Sequence, residues 1–218
     1  MLADSKKLGG RCLAGRSTSS GAWIRPVSDL ANGTLYPFHC RVQGRPPRLL
    51  DVVQFSFERK LDTPAQPENR LIDGQGWTLT GALEPGTAYA ELQPFLDAGP
   101  KLFGNGQRGV DEDVASLGIA ESLVLVEPDD EPVFVVEGPY EQGGSARTRV
   151  TFKLGGWSYD LPITDFVVRP RLLEAGAGSY GRDEVGLDMG DHALLTISLG
   201  LPMNGTYWKL VAGLLAVS

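Results

Sequence analysis

Cysteine and histidine are both scarce in this chain. Its 218 residues include two cysteines, Cys12 and Cys40, and two histidines, His39 and His192. A structural zinc site needs four clustered ligands, and nucleophilic catalysis usually needs a histidine base beside serine or cysteine. Two cysteines without a secretory signal also indicate a reducing compartment rather than a disulfide framework. The composition favours a cytoplasmic, non-catalytic protein without metal or cofactor.

Long apolar runs and long helical patterns are missing too. The longest apolar run, residues 210–217, is too short to cross a bilayer, so no membrane association is expected. Glycine (28 residues) and proline (15 residues) are plentiful instead, which is typical of short strands joined by turns. The predicted fold class is all-β with minor short helices.

The net charge of −7 is unevenly distributed. Residues 1–60 carry ten Lys or Arg against four Asp or Glu, whereas residues 110–146 carry ten acids and no base. A protein of this charge would be repelled from a polyanion at long range, so polyanion binding has to be localised. The acidic segment alternatively predicts a basic protein partner.

The alternation of apolar and polar residues predicts a hairpin over residues 11–28 and one strand over 49–58. Short helices are expected over 88–96 and 111–117, and a Gly-rich loop over 174–190. In the second half the predicted strands follow each other closely, at 122–127, 133–137, 147–154, 157–161, 192–199 and 206–217. A turn-rich segment at 105–109 marks the boundary between two predicted domains, 1–109 and 110–218.

The opening hairpin carries the most suggestive chemistry. Trp23 and Arg25 alternate with Ile24, so they share one face of a strand. An aromatic ring beside a guanidinium can stack on a base and pair with a phosphate. The alternative is an ordinary amphipathic hairpin, in which the arginines are solvated and the tryptophan closes a core.

Several motifs resemble one known family. Lys-Lys-Leu-Gly-Gly-Arg-Cys-Leu-Ala-Gly at 6–15, followed by Gly-Ala-Trp-Ile-Arg-Pro-Val-Ser at 21–28, resembles the start of the bacterial dual OB-containing domain proteins. Later segments that agree lie at 49–53, 66–69, 159–165, 198–200 and 207–212. The resemblance implies two small OB-like β-barrels packed in tandem. It also implies recognition of nucleic acid or a nucleotide, in bacterial defence or RNA-related systems.

The resemblance also implies a set of ligand-binding residues, each matched to a position in these motifs. They are Arg11, Arg16, Trp23, Arg25, Gln66, Glu68, Asn69, Asp165 and Lys209. A guanidinium binds phosphate bidentately, and amides such as Gln66 and Asn69 can read a base edge. Structural roles remain the alternative: Arg25 paired with Asp51, the two amides capping a loop, and Asp165 holding a turn.

Three functions follow in order of preference. The first is a non-catalytic module that binds single-stranded RNA or DNA, or a nucleotide. The second is a protein-interaction or scaffold module that uses the acidic segment. The third is a metal-dependent hydrolase of nucleotides or nucleic acid, with Glu68 and Asp165 as candidate carboxylates.

Overall fold

The computed structural model describes residues 1–97, 99–138, 145–187 and 190–218. Strands predominate in these residues, which confirms the all-β prediction, and no helix among them is long and apolar enough to cross a membrane. Residues 139–144 of the acidic segment lie outside the described part. In chain order the strands of the first half are β1 (Ala3–Lys7), β2 (Gly10–Arg16), β3 (Trp23–Val27), β4 (Asp51–Gln54), β5 (Phe57–Lys60), β6 (Asn69–Ile72) and β7 (Thr78–Ala82).

The first half forms a five-stranded sheet in the order β1-β2-β3-β6-β5 and a two-stranded ribbon of β4 and β7. β2 and β3 pair antiparallel, with Gly15 opposite Ile24, so the predicted hairpin is confirmed. β3 then pairs parallel with β6, which places Arg25 beside Asn69. The face that Trp23 shares with Arg25 is buried, since their exposed fractions are 2% and 1%.

The prediction of a single strand over residues 49–58 is wrong. The chain there forms β4 in the ribbon, breaks at Phe55 and Ser56, and continues as β5 at the edge of the five-stranded sheet. Alternation shows which side chains share a face but not which strand is the partner. Two strands in different sheets therefore resembled one.

The strands of the second half are β8 (Gly109–Asp111), β9 (Leu123–Val126), β10 (Val133–Glu137), β11 (Arg147–Leu154), β12 (Trp157–Pro162), β13 (Gly178–Tyr180), β14 (His192–Met203) and β15 (Thr206–Val217). They form two sheets, β12-β11-β10-β13 and β8-β15-β14-β9. The predicted alternation on β11 is confirmed, because Thr148, Val150, Phe152 and Leu154 are buried. Gly155 and Gly156 both have positive φ, as a two-residue hairpin between β11 and β12 requires.

The helices are short: α1 (Ala88–Leu92), α2 (Glu112–Ser116) and α3 (Val168–Ala175). Single 3-10 turns occupy Pro37–His39, Gln93–Phe95, Leu102–Gly104 and Asp183–Val185. The first two helices agree with the predicted short helices. The prediction of a Gly-rich loop over residues 174–190 is wrong in part, because this segment contains the end of α3, strand β13 and the last 3-10 turn. Pro170 lies in the first turn of α3, where the backbone N–H groups have no partner within the helix, so proline is tolerated. Residues 188 and 189 of the expected loop lie outside the described residues.

The two halves share a hydrophobic core. One cluster combines Leu2 and Trp23 from the first half with Leu125, Leu194 and Leu215 from the second. A second cluster lies mostly in the second half, around Phe134, Val150, Phe152, Leu161 and Ile197, and also includes Leu102. The division at residue 109 remains a prediction.

Candidate ligand groove and buried polar cluster

Four of the predicted ligand residues meet in the interior of the protein. Arg25 and Glu68 form an ion pair, with Nη2 3.1 Å from Oε1. The alternative pairing of Arg25 with Asp51 is wrong, because Asp51 pairs with Arg45. The same Nη2 donates to Ser122 Oγ at 3.0 Å and to Ser198 Oγ at 3.1 Å, and Ser122 in turn donates to Glu68. Ser122 and Ser198 belong to the second half of the chain, so this ion pair joins the two halves.

Gln66 and Asn69 extend the same network. Gln66 Nε2 donates to the Leu199 carbonyl oxygen at 3.1 Å, and Asn69 Nδ2 donates to Gln66 Oε1 at 3.2 Å. We call the six residues Arg25, Gln66, Glu68, Asn69, Ser122 and Ser198 the buried polar cluster. Each is at most 7% exposed.

The buried polar cluster is nearly but not fully satisfied. Arg25 Nε, Glu68 Oε2 and Asn69 Oδ1 are buried and have no protein partner. Burial of polar atoms is costly unless they are paired, so the pairs that do form fix the positions of β3 and β6 relative to β14. The cluster is built to hold the two halves in register.

Arg16 occupies a different environment, at the end of β2. Its guanidinium carbon lies 4.5 Å from the centre of the Trp23 ring and 5.5 Å from that of Phe95. Nη1 donates to the Gly21 carbonyl oxygen at 2.9 Å and approaches Glu121 Oε1 at 3.3 Å. Trp23 is buried and packs against the Arg16 guanidinium. Of the two residues, Arg16 is therefore the one that reaches the surface.

A groove of about 610 Å³ opens beside Arg16. We call it the aromatic groove. The lining residues used below are Arg16, Ser17, Gln54, Phe55, Phe57 and Phe95.

The rings of the aromatic groove differ in exposure. Phe57, the first residue of β5, is 46% exposed, whereas Phe55 is half-buried and stacks on Trp77 with ring centres 4.6 Å apart. The Arg70 guanidinium lies 6.0 Å from the centre of the Phe57 ring. Arg59 and Lys60 on β5 are exposed as well. The groove thus combines an exposed aromatic ring with basic side chains near it, and its lining also includes the acids Asp51 and Glu91.

Arg11 and Asp165 form a third group. Arg11 pairs with Asp4, and its guanidinium lies 3.7 Å above the Phe166 ring. Burial raises the pKa of Asp4 to about 6 although the Arg11 charge lowers it. Asp165 accepts hydrogen bonds from the backbone N–H groups of Val167 and Val168, so it holds the start of α3, as the structural alternative predicted.

Lys209 is fully buried on β15. Its Nζ donates to the backbone oxygen and to Oδ1 of Asn105, both at 2.8 Å, and lies 5.5 Å from the centre of the Tyr159 ring. Burial lowers the pKa of Lys209 from 10.5 to about 8. Its role is to hold the loop around Asn105.

The candidate carboxylates of a hydrolase lie in separate networks. Glu68 pairs with Arg25, whereas Asp165 accepts backbone hydrogen bonds at α3. Within the described ranges, no group of three or more His, Cys, Asp or Glu side chains could hold a metal ion. The sequence motifs did not identify the aromatic groove, because the alternation over residues 49–58 predicts one strand with Phe55 and Phe57 on the same face. The charged run Glu58–Lys60 is the signal that could have indicated an exposed edge.

The curled sheets and short helices define an all-β protein of the OB type. A sequence model of the Dual OB-containing domain family matches residues 1–214. The chain therefore belongs to this family, and its architecture is that of two OB-like barrels in tandem, as the motifs predicted. No curated protein and no solved structure shows significant similarity to it.

Proposed function

We propose that this protein is a non-catalytic module that binds single-stranded nucleic acid, or a nucleotide, in the aromatic groove. The observation that carries the proposal is the exposed ring of Phe57 in a groove that Arg16 also lines. Bases stack on such rings regardless of sequence, and arginine pairs with the phosphates between them. A bacterial, cytoplasmic setting in defence or RNA biology, and a division into barrels near residue 109, belong to the same proposal.

The predicted ligand residues take different roles in this proposal. Arg16 contacts the ligand directly, because it lines the groove. Trp23 supports Arg16 from below. The buried polar cluster positions β3, whose Ile24 and Pro26 also line the groove. Arg11, Asp165 and Lys209 act on the fold rather than on the ligand.

The net charge of −7 limits how such a ligand can be held. Attraction comes from local cations, here Arg16, Arg59, Lys60 and Arg70. Few phosphate contacts imply a shallow dependence of affinity on salt, unlike that of proteins that coat duplex DNA. The base-stacking contribution is then the larger share of the binding free energy.

Fluorescence anisotropy with labelled single-stranded RNA and DNA at two salt concentrations tests the proposal. We expect binding that weakens with salt, and a loss of affinity of about fivefold or more in Phe57→Ala, since stacking contributes roughly 1–3 kcal/mol per base. Phe38→Ala is the matched control, because Phe38 is also an exposed phenylalanine (73%) but does not line the groove.

Absence of binding to both polymers and to free nucleotides at low salt would overturn the proposal. Equal losses in Phe57→Ala and Phe38→Ala would argue against the aromatic groove as the site. If a basic protein co-purifies with the chain and no nucleic acid binds, the acidic-segment hypothesis replaces it.

A further inference from the structure

A cavity of about 490 Å³, lined mostly by the second half, lies between the β11–β12 hairpin and the loop that precedes β8. Thr151 and Lys153 line it from β11, on the face opposite the buried Val150. Ser158 and Asp160 line it from β12, and Arg108 closes it from the loop. We call this the second-half cavity.

The cavity is lined by two cations and three acids, and two further cations pair with those acids from outside the lining. Four cations therefore face three acids: Arg108, Arg149, Lys153 and Arg182 against Asp130, Glu131 and Asp160. Asp160 is shared by two arginines, because Arg149 Nε lies 2.6 Å from Oδ1 while Arg108 contacts Oδ2. One carboxylate cannot neutralise two guanidinium groups, and the Arg108 side chain is 57% exposed. The other acids of the cavity are each paired with one cation: Asp130 with Lys153 and Glu131 with Arg182.

The ion pair of Lys153 with Asp130 is open to solvent. Nζ lies 3.0 Å from Oδ2, and the two side chains are 57% and 44% exposed. Exposed pairs of this kind contribute little to stability, so the ammonium can turn to a ligand anion at small cost. Arg108 and Lys153 line the same cavity, so both are candidates to contact a phosphate bound there.

An exposed tryptophan stands at the rim of the cavity. Trp157 is 43% exposed, whereas Trp23 and Trp77 are buried. It packs on the cavity-lining Gly106 so closely that a Cβ there would lie 2.6 Å from its ring. The Lys101 ammonium lies 4.2 Å from the ring centre, so a cation already packs on the Trp157 ring.

The loop wall of the cavity is fixed in advance. Lys209 holds Asn105 by two hydrogen bonds of 2.8 Å, and the Leu102 N–H donates to the Tyr159 hydroxyl at 3.0 Å. A site whose wall is held by buried groups loses little entropy when a ligand binds. This also gives the buried Lys209 a positioning role.

We propose that the second-half cavity is a further subsite of the protein, which takes one nucleotide of a longer strand. Its base stacks on Trp157, and its phosphate pairs with Arg108 and Lys153. The inference rests on the proposed function, because the aromatic groove holds another part of the same strand. Short oligonucleotides then fill one site, and long ones fill both.

An oligonucleotide length series with site-specific variants tests the proposal. The probes are single-stranded oligonucleotides of about 6 and about 30 nucleotides, which bracket the footprint of one OB fold. We expect Arg108→Gln to weaken the long probe about tenfold while the short probe is unaffected, and Phe57→Ala to weaken both. Arg41→Gln, at an exposed arginine outside both sites, is the control and leaves both affinities unchanged.

Tryptophan fluorescence supplies a second, independent readout. We expect the long probe to quench the intrinsic emission of the wild type, and Trp157→Phe to abolish most of that quenching. If long and short probes lose affinity equally in Arg108→Gln, or if neither Arg108→Gln nor Trp157→Phe changes the long-probe signal, the subsite is refuted. If instead Arg108→Gln weakens binding and Phe57→Ala does not, the proposed groove fails and the second-half cavity stands.

Discussion

Arg25 and Glu68 form an ion pair that is sealed from solvent, with Nη2 and Oε1 3.1 Å apart and side chains only 2% and 4% exposed. They lie on or beside neighbouring parallel strands, and both contact Ser122 of the second half. The pair therefore stabilises the contact between the two halves and does not lie at a ligand-accessible surface.

Arg25→Ala should lower the free energy of unfolding by about 3–5 kcal/mol, because it leaves Glu68 charged and unpaired in the interior. Urea denaturation measures the change. The double variant Arg25→Met with Glu68→Leu should recover most of the loss, since no buried charge remains.

The same variant separates a structural role from a ligand role. Arg41→Ala, at an exposed arginine, should stay within about 0.5 kcal/mol of the wild type. If Arg25→Ala unfolds like the wild type yet loses oligonucleotide binding, Arg25 contacts the ligand and the structural interpretation is wrong.

Local patterns predicted much of the fold. The strict alternation of Arg147–Leu154 and the Gly155-Gly156 turn are visible in adjacent residues, and β11 and β12 follow them. The Arg25–Glu68 pair arises from parallel pairing of β3 with β6, two strands separated by a long connection. No local period encodes such a pairing.

The candidate site shows the same limit. Polar residue types in motif positions do not reveal whether a side chain is buried. The motifs therefore predict that the amides of Gln66 and Asn69 contact a base edge, although both residues are buried. The aromatic groove is assembled from β2, β3, the segment around β4 and β5, and α1 with its following turn. Only the fold brings Arg16 and Phe57 into one surface.

Asp165→Ala should destabilise the protein by about 2 kcal/mol, because one side chain satisfies three backbone donors. Oδ1 accepts from Val167 and Val168 at 2.8 and 2.7 Å, and Oδ2 accepts from Leu214 at 3.1 Å. Asp165→Asn retains one acceptor oxygen, which can still accept the hydrogen bonds on one side of the carboxylate. This variant should therefore lose less stability than Asp165→Ala. Chemical denaturation, with hydrogen exchange at the Val168 and Leu214 amides, checks this, and a larger loss in the asparagine variant would contradict it.

Gly213→Ala should be destabilising by about 1–3 kcal/mol, because the added methyl has no room where β1 crosses β15. A Cβ at Gly213 would overlap the backbone oxygen of Leu2 and lie 3.0 Å from the Ala3 Cα. Gly81→Ala is the matched control, since a Cβ there meets nothing within 4 Å. Thermal unfolding should show a lower midpoint for the first variant alone, and equal midpoints would show that β1 can move away from β15.

The lowered pKa of Lys209 predicts how the free energy of unfolding changes at alkaline pH. Burial lowers its pKa from 10.5 to about 8, so between these values the unfolded chain binds a proton that the folded chain does not. The free energy of unfolding of the wild type should therefore rise, relative to that of Lys209→Met, as the pH increases from 8 towards 10.5. The neutral amine keeps two N–H groups, enough for both hydrogen bonds to Asn105, so deprotonation removes the buried charge without breaking the contact.

Urea denaturation of both proteins at several pH values between 7 and 10 measures this difference. Tyrosines titrate in the same range, but they are common to both proteins and cancel in the comparison. Lys60→Met, at an exposed lysine on β5, serves as control and should differ from the wild type by a constant amount. A constant difference for Lys209→Met as well would mean that water reaches its ammonium, and the loop wall at Asn105 would then be mobile rather than held in advance.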